Sequence, residues 1–327
     1  MIINDNNFNK LNNFSDKLLK KEIYSSRYVE PFFCCPHCKS IHFIKFGKYN
    51  DIQRYRCKDC RKTFSNTTNS VWKYCKKPCR KWVQYTEYLM HGETLKFCAE
   101  KLEISIATAF YWRHKLLHGV DKNTPENFKD IVFIGRSYVG ISNKGSKGKA
   151  YQYKNKFYKR YDLFRTNVII SILYDTNDSM SIKVIGQDDS LNRYENKIFA
   201  KIDKMAYIKS INNKYLKDYI IKHNKKLPLK LRKSLQYDPN SYYLKDNIIC
   251  SKEILNCSLN LNRWLSRFKG VASKYLNHYC SLFSLGFIKK EYDYMTLFFE
   301  ILCNNVQENY YLRIRELKSI HELEFAL

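Results

Sequence analysis

The sequence predicts a multi-domain α/β protein: a small metal-held ribbon, then a helical module, then a mixed-sheet α/β domain with a helical C-terminal tail. Three observations predict it. Two Cys-x2-Cys pairs stand 18 residues apart near the amino end. Apolar residues at helical spacing fill the stretch from Trp82 to Leu117. Strand-sized apolar runs begin at Ile131, beyond a polar, Pro-containing linker from Asp121 to Lys129. A chain of 327 residues suits about two domains with small modules attached. Its 44% hydrophobic content, with 27 Tyr and 20 Phe, excludes a disordered protein.

Residues 1–30 are polar and Asn-rich, a flexible lead-in with one short helix expected around Asp16–Tyr24. The ribbon spans 31–66. Cys35, Cys38, Cys57 and Cys60 offer four thiolates at the spacing of a structural zinc site, which takes sulfur ligands in a closed tetrahedron. Phe43, Phe46, Tyr49 and Tyr55 supply short strands around the metal, and Gly47 permits a turn. Four protein ligands leave no open position, so zinc here is structural rather than catalytic. Between Cys35 and Phe64 stand eight basic residues against Asp51 and Asp59, a net +6 that suits phosphate contacts through Arg54, Arg56, Arg61 and Lys62. Cys34 reads as a bystander, and Cys75 and Cys79 as thiols outside any site.

Residues 79–120 read as three helices. Trp82, Val83, Tyr85, Tyr88 and Leu89 form an apolar stripe that ends at His91-Gly92. Thr94 is placed to cap a second helix and Ser105 a third, with Glu103-Ile104-Ser105 as the turn between them. Two short helices joined by a three-residue turn fit a helix-turn-helix, whose second helix would offer Thr108, Tyr111, Arg113, His114 and Lys115 to DNA. A plain three-helix packing unit fits the same pattern.

The α/β domain spans 130–285. Its strands are expected at Ile131–Ile134, Val168–Tyr174 and Met180–Ile185, followed by mixed helical segments. Lys144 to Arg165 reads as a basic loop or hairpin. Lys222 to Lys233 holds six Lys and Arg and no acid, a run suited to a phosphate backbone or to a solvated face. The tail, 286–327, carries a packing stripe at Met295, Leu297-Phe298-Phe299 and Ile301-Leu302.

A net charge of +27 points to a polyanion partner, with nucleic acid the expectation, although the excess of Lys, Asn, Ile and Tyr is also what AT-rich coding produces. No apolar run nears the 18 residues that span a bilayer, and the first residues lack the basic region and apolar core of a secretion signal. The expectation is therefore no membrane partner and a cytoplasmic, nucleoid-associated protein. Its thiols would then sit in a reducing compartment, where paired Cys motifs mean metal before disulfide.

At these residues the sequence resembles bacterial insertion-sequence transposases. The strings that carry the resemblance are Cys-Pro-His-Cys, Gln53 to Ser65, Ile104-Ser105 with Thr108 to Lys115, and Trp264 to Leu276. They extend from about Cys35 to Phe283. The resemblance implies a zinc ribbon and a helix-turn-helix that bind double-stranded DNA at transposon ends. It further implies an RNase-H-like, DDE-type domain that cuts and joins DNA, and a homo-oligomer that holds two ends.

That chemistry needs two divalent metals about 4 Å apart, Mg²⁺ or Mn²⁺, held by carboxylates on fixed elements. By the resemblance the first acids belong where Gly135 and Arg136 stand after Ile134. Glycine supplies no oxygen, and arginine repels a cation. The second ligand falls nearest Asp203 and the third nearest Asn256, beside Leu255, with Ser258 in place of a histidine that relatives often carry. Asp162, Asp175, Asp178, Asp188 and Asp189 read as turn or surface residues. The expectation is a transposase-family protein with an intact DNA-binding half and an eroded active site, in which Mg²⁺ or Mn²⁺ matters only if catalysis survives. A working transposase with rearranged ligands, a non-enzymatic DNA-binding regulator and an RNA-binding ribbon protein are the alternatives.

Overall fold

The computed structural model of the chain describes residues 34–49, 52–122, 127–142, 167–177, 179–186, 191–211, 214–236, 242–288 and 309–317. They form two compact units. One takes the described residues up to Lys122 together with 309–317, and the other those from 127 to Ile288.

The first unit begins with a three-stranded antiparallel sheet in sequence order: β1 (Phe43–Tyr49), β2 (Ile52–Cys57) and β3 (Thr63–Ser65). Its core is small. Cys35, Cys57 and Phe64 are buried, with Phe43, Tyr55 and Cys60 packed against them. The Phe43 ring meets Phe64 edge-on at 5.4 Å, and Tyr55 stacks on Phe64 at 5.5 Å.

Three helices follow: α1 (Cys79–Met90), α2 (Leu95–Leu102) and α3 (Ile106–Lys122). Thr94 caps α2 as expected, its Oγ1 accepting from the Phe97 N–H at 3.2 Å. Glu103 ends the helix in the left-handed region at φ 52°. Ser105 Oγ then accepts from the Thr108 N–H at 3.1 Å and starts α3. Trp82 of α1 stacks on Trp112 of α3 at 4.1 Å, and the buried Tyr85 hydroxyl donates to the Ala109 carbonyl. Residues 309–317 join this unit. The Tyr310 N–H donates to the Asn69 carbonyl at 2.8 Å, and Tyr310, Leu312 and Leu317 are buried.

The second unit is built on a mixed four-stranded sheet. Its strands are β4 (Ile131–Gly140), β5 (Asn167–Asp175), β6 (Met180–Gly186) and β7 (Tyr207–Ile211), in the order β6-β5-β4-β7. The first three pair antiparallel, and β7 lies parallel to β4. β4 is longer than the apolar run Ile131–Ile134 suggests, because its register with β5 continues unbroken from Val132↔Asp175 to Gly140↔Asn167. Gly135 and Arg136 therefore lie inside a central strand, not after one.

Both faces of this sheet are covered. Val132 and Ile134 pack in one cluster with Tyr194 of α4 (Leu191–Lys197), Ile198, Ile208 and Ile220 of α5 (Lys217–Lys226). Gly135 meets Ile254 of α7 (Tyr242–Arg267), and Asn277 of α8 (Leu276–Ile288) accepts from the Val184 N–H at 2.7 Å. Asn224 pins α5 to β7: its Oδ1 accepts from the Ile208 N–H at 3.0 Å and its Nδ2 donates to the Ile208 carbonyl at 2.8 Å. One amide thus replaces the partner strand for that residue. The basic run from Lys222 crosses α5 and α6 (Leu229–Gln236), separated at Leu227-Pro228.

The helix expected at Asp16–Tyr24, the Lys144–Arg165 stretch and the Met295–Leu302 stripe lie outside the described residues, as do Asp162, Asp178, Asp188 and Asp189.

Candidate metal centre and nucleic-acid interface

The two Cys-x2-Cys turns meet at the end of the ribbon sheet where Phe43 pairs with Cys57, and Cys35, Cys57 and Cys60 pack with its aromatic core. Each turn closes on itself: the Lys39 N–H donates to the Cys35 carbonyl at 2.8 Å and the Cys57 N–H to the Lys62 carbonyl at 3.0 Å. Lys39 and Arg61 take positive φ, which folds the chain back past each pair. This brings the four Sγ atoms within 4.8 Å of one another. Cys35 and Cys60 are 3.7 Å apart and Cys38 and Cys57 3.6 Å. A Zn–S bond of about 2.3 Å in a regular tetrahedron puts sulfurs about 3.8 Å apart. The donor set and its spacing are compatible with zinc.

The four thiols are unlike. The Cys60 N–H, with the Asp59 N–H and the Cys38 and Cys60 thiols adding, holds Cys57 down to about 6 against burial. The Ser40 N–H pulls Cys38 down too. There burial and hydrogen bonds to Cys60, Cys57 and Cys35 outweigh it and push the thiol up to about 12. Burial raises Cys35 against the pull of the His37 and Cys38 N–H groups.

The ribbon's expected phosphate-binding cations differ in exposure. Arg56, Arg61 and Lys62 are exposed and Arg54 is half-buried. The guanidinium groups of Arg54 and Arg56 lie 5.6 and 5.5 Å from the Phe46 ring centroid. In the helices the expected DNA-facing set divides. Thr108 and Tyr111 are half-buried near the start of α3. Arg113 is 2% exposed and donates to the Glu93 carbonyl at 2.6 Å, and His114 is interior against Phe110. Lys115 is half-buried over the Tyr311 ring at 5.6 Å, and burial lowers its pKa. These last three serve packing within the unit.

In the second unit the positions that the resemblance marks for metal ligands are not brought together. A Cβ on Gly135 would overlap Ile254 Cγ2, so the strand centre is closed by an apolar side chain. Beside it Ser137 Oγ shares a hydrogen bond of 2.5 Å with Ser258 Oγ. Arg136 is half-buried, its guanidinium 4.7 Å from the Tyr138 ring and 5.2 Å from Tyr215.

Asp203 does not follow a strand. It precedes β7, where its Oδ1 accepts from the Met205 N–H at 2.8 Å and its own N–H donates to the Phe128 carbonyl. The β7 residue beside Gly135 is Ile211, four steps along from the Ile131↔Tyr207 pair. Those steps alone span about 13 Å, too far for a shared two-metal site. Asn256 is on the exposed side of α7, whereas Ile254 and Cys257 are buried. Asp175, expected in a turn or on the surface, instead ends β5 and is buried; burial raises its pKa while the Ser179 and Asn177 N–H groups bind its carboxylate. Among the described residues the Cys cluster is the one group of His, Cys, Asp or Glu placed to share an ion. None of the described helices is long and apolar enough to cross a membrane.

Sequence reasoning missed Ile254 and the outward placement of Phe46. A glycine in mid-strand signals close approach of another side chain, and an aromatic beside a Gly turn signals a bulge.

No family model matches the chain, and no solved structure does. Among curated proteins the chain is similar to a protein described as an uncharacterized protein in transposable element ISH50, from Halobacterium salinarum, with 30% identity over 113 residues. The match covers 34% of this chain and 38% of the relative, and it puts the likeness with an insertion-element protein.

Proposed function

We propose that the chain is a transposase-like protein that binds duplex DNA through a zinc-held ribbon and a helix-turn-helix, and whose RNase-H-like domain no longer cuts. The observation that carries this reading is the Gly135–Ile254 contact, which fills with hydrocarbon the place where the resemblance asks for a carboxylate. A mixed sheet with a helix laid across its central strand supports the RNase-H-like assignment. On the ribbon, Arg54, Arg56, Arg61 and Lys62 are the phosphate-binding candidates; on α3, Thr108 and Tyr111 remain. The relative in a transposable element supports transposon ends as the target, and holding two ends would require a homo-oligomer. Mg²⁺ or Mn²⁺ enters only if cleavage survives. The same closed strand centre suits a non-enzymatic DNA-binding regulator, which would need a discrete target away from any element end.

The deciding experiment combines zinc-loaded protein, Mg²⁺ or Mn²⁺, and duplex DNA from the flanks of its own gene. Specific binding without nicking is expected. Metal-dependent nicking lost in Asp203→Asn would overturn the eroded-site reading. Affinity should also fall with salt. If the four ribbon cations each meet a phosphate, log K against log salt has a slope of about −3.6, read by anisotropy between about 50 and 200 mM salt. A flat response would remove phosphate contacts from the account.

Zinc binding should be strongly pH-dependent. Near neutrality Cys57 is ionised in the metal-free ribbon while Cys35 and Cys38 hold protons that zinc must displace. With at least these two protons displaced, zinc weakens at least about a hundredfold for each unit the pH falls, and more steeply below about 6 as Cys57 also takes up a proton. Chelator competition across pH measures this slope, and a level profile would contradict it.

A further inference from the structure

We propose that the outer face of the ribbon is a binding site for unpaired DNA bases, with Phe46 as the stacking surface and Arg54 and Arg56 as its cationic flanks. The proposal rests on the DNA-binding reading above and extends it from phosphate contacts to a class of base.

Phe46 does not belong to the ribbon's core. Phe43, Tyr55 and Phe64 close the inner face with the cysteines, and Phe46 is 41% exposed. Its placement is built. The β1–β2 register runs from Lys45↔Tyr55 to Lys48↔Gln53, so Phe46 and Gly47 together stand opposite Arg54 in a bulge. Gly47 takes φ +66°, a conformation side chains disfavour, and the Gln53 side chain donates to its carbonyl at 2.9 Å. The bulge presents the ring beside two guanidinium groups, at 5.5 and 5.6 Å from its centroid.

The neighbouring positions continue the pattern. Ile44, 46% exposed, pairs with Arg56, which pairs with Thr63, and Arg54 pairs with Ser65. Across the three strands the face runs from apolar through guanidinium to hydroxyl. The strands carry no carboxylate. Phosphate alone would need only the cations and would leave an exposed ring unexplained. Aromatic rings flanked by arginine stack bases of any sequence while the cations hold the backbone. Bases in a duplex are stacked on one another and cannot lie on a ring set in a sheet face, so the ligand is unpaired DNA.

The test uses the full zinc-loaded chain with a mixed-sequence single strand containing 2-aminopurine and with the matching blunt duplex. Binding of the single strand should quench 2-aminopurine fluorescence as the base stacks. Phe46→Ala should weaken single-strand binding about tenfold and abolish the quench, leave duplex affinity within about twofold, and keep full zinc content; Phe46→Trp should retain both binding and quench. Equal losses on both probes, or a quench that survives Phe46→Ala, would overturn the proposal. Duplex binding with no single-strand binding would overturn it and leave the DNA-binding reading standing. Binding of neither probe would overturn both.

Discussion

Cys57→Ser is expected to strip the zinc and unfold the segment from Cys35 to Ser65. A serine hydroxyl does not ionise near neutrality, so the replacement removes the thiolate that the Cys60 and Asp59 N–H groups hold ready in the metal-free protein. The ribbon has little else to fall back on. Its core is three aromatic rings and the cysteines themselves. Three side chains at about 1.5–3 kcal/mol each are far too few to order the whole segment. Structural zinc supplies about 10–16 kcal/mol in sites of this kind, and a set of three ligands forfeits much of that. Metal content should therefore drop from one ion per chain to a small fraction, and amide exchange across β1–β3 should become fast. The mixed sheet should stay protected, since Val132, Ile134, Ile208 and their neighbours form a core of their own. Cys34→Ser is the control, for Cys34 lies outside the cluster. Full zinc in Cys57→Ser would mean that the four sulfurs do not form the site. DNA affinity in the same variant should fall with the ribbon, because Arg54 and Arg56 are held in register only by the folded sheet.

Much of this was legible in the sequence wherever the signal was local. Cys spacing fixed the cluster, and Thr94 and Ser105 marked two helix starts through their own side chains. The expectations that diverged did so where a helical period was not carried through. Ala109, Trp112, Leu116 and Val120 repeat at three and four, which puts position 113 on the buried stripe, and Arg113 follows that geometry despite its charge. Buried, its guanidinium finds a carbonyl instead of a phosphate. Ile198, Phe199 and Ile202 are likewise spaced for a helical turn, so Asp203 ends a turn and not a strand. Ile254, Cys257, Leu261 and Leu265 form the inner stripe of α7 and leave Leu255 and Asn256 outside. What no local pattern could supply is the partner of Gly135. Ile254 lies more than a hundred residues away in sequence, and only the crossing of α7 over β4 brings the two together.

That crossing gives the second large effect. Gly135→Ala should destabilise the mixed-sheet unit by about 1–3 kcal/mol, because the new methyl overlaps Ile254 Cγ2 in a packed interior. Gly135→Asp should cost more. The carboxylate would enter the same space and lose its water, and Arg136 points to the other face of the strand by simple alternation. Ile254→Ala alone should cost about 2–5 kcal/mol through the cavity it opens. Combined, Gly135→Ala and Ile254→Ala should cost less than their sum, since the methyl added on the strand occupies the space vacated on the helix. Urea unfolding of the four proteins reads this coupling directly. Additive losses would mean that Ile254 does not rest on Gly135, and the strand centre would then be open to a ligand. A favourable coupling would mean that the strand centre is closed by packing, and that an acid placed at Gly135 meets hydrocarbon. On the eroded-site reading proposed above, Gly135→Asp, alone or with Ile254→Ala, should produce no metal-dependent nicking.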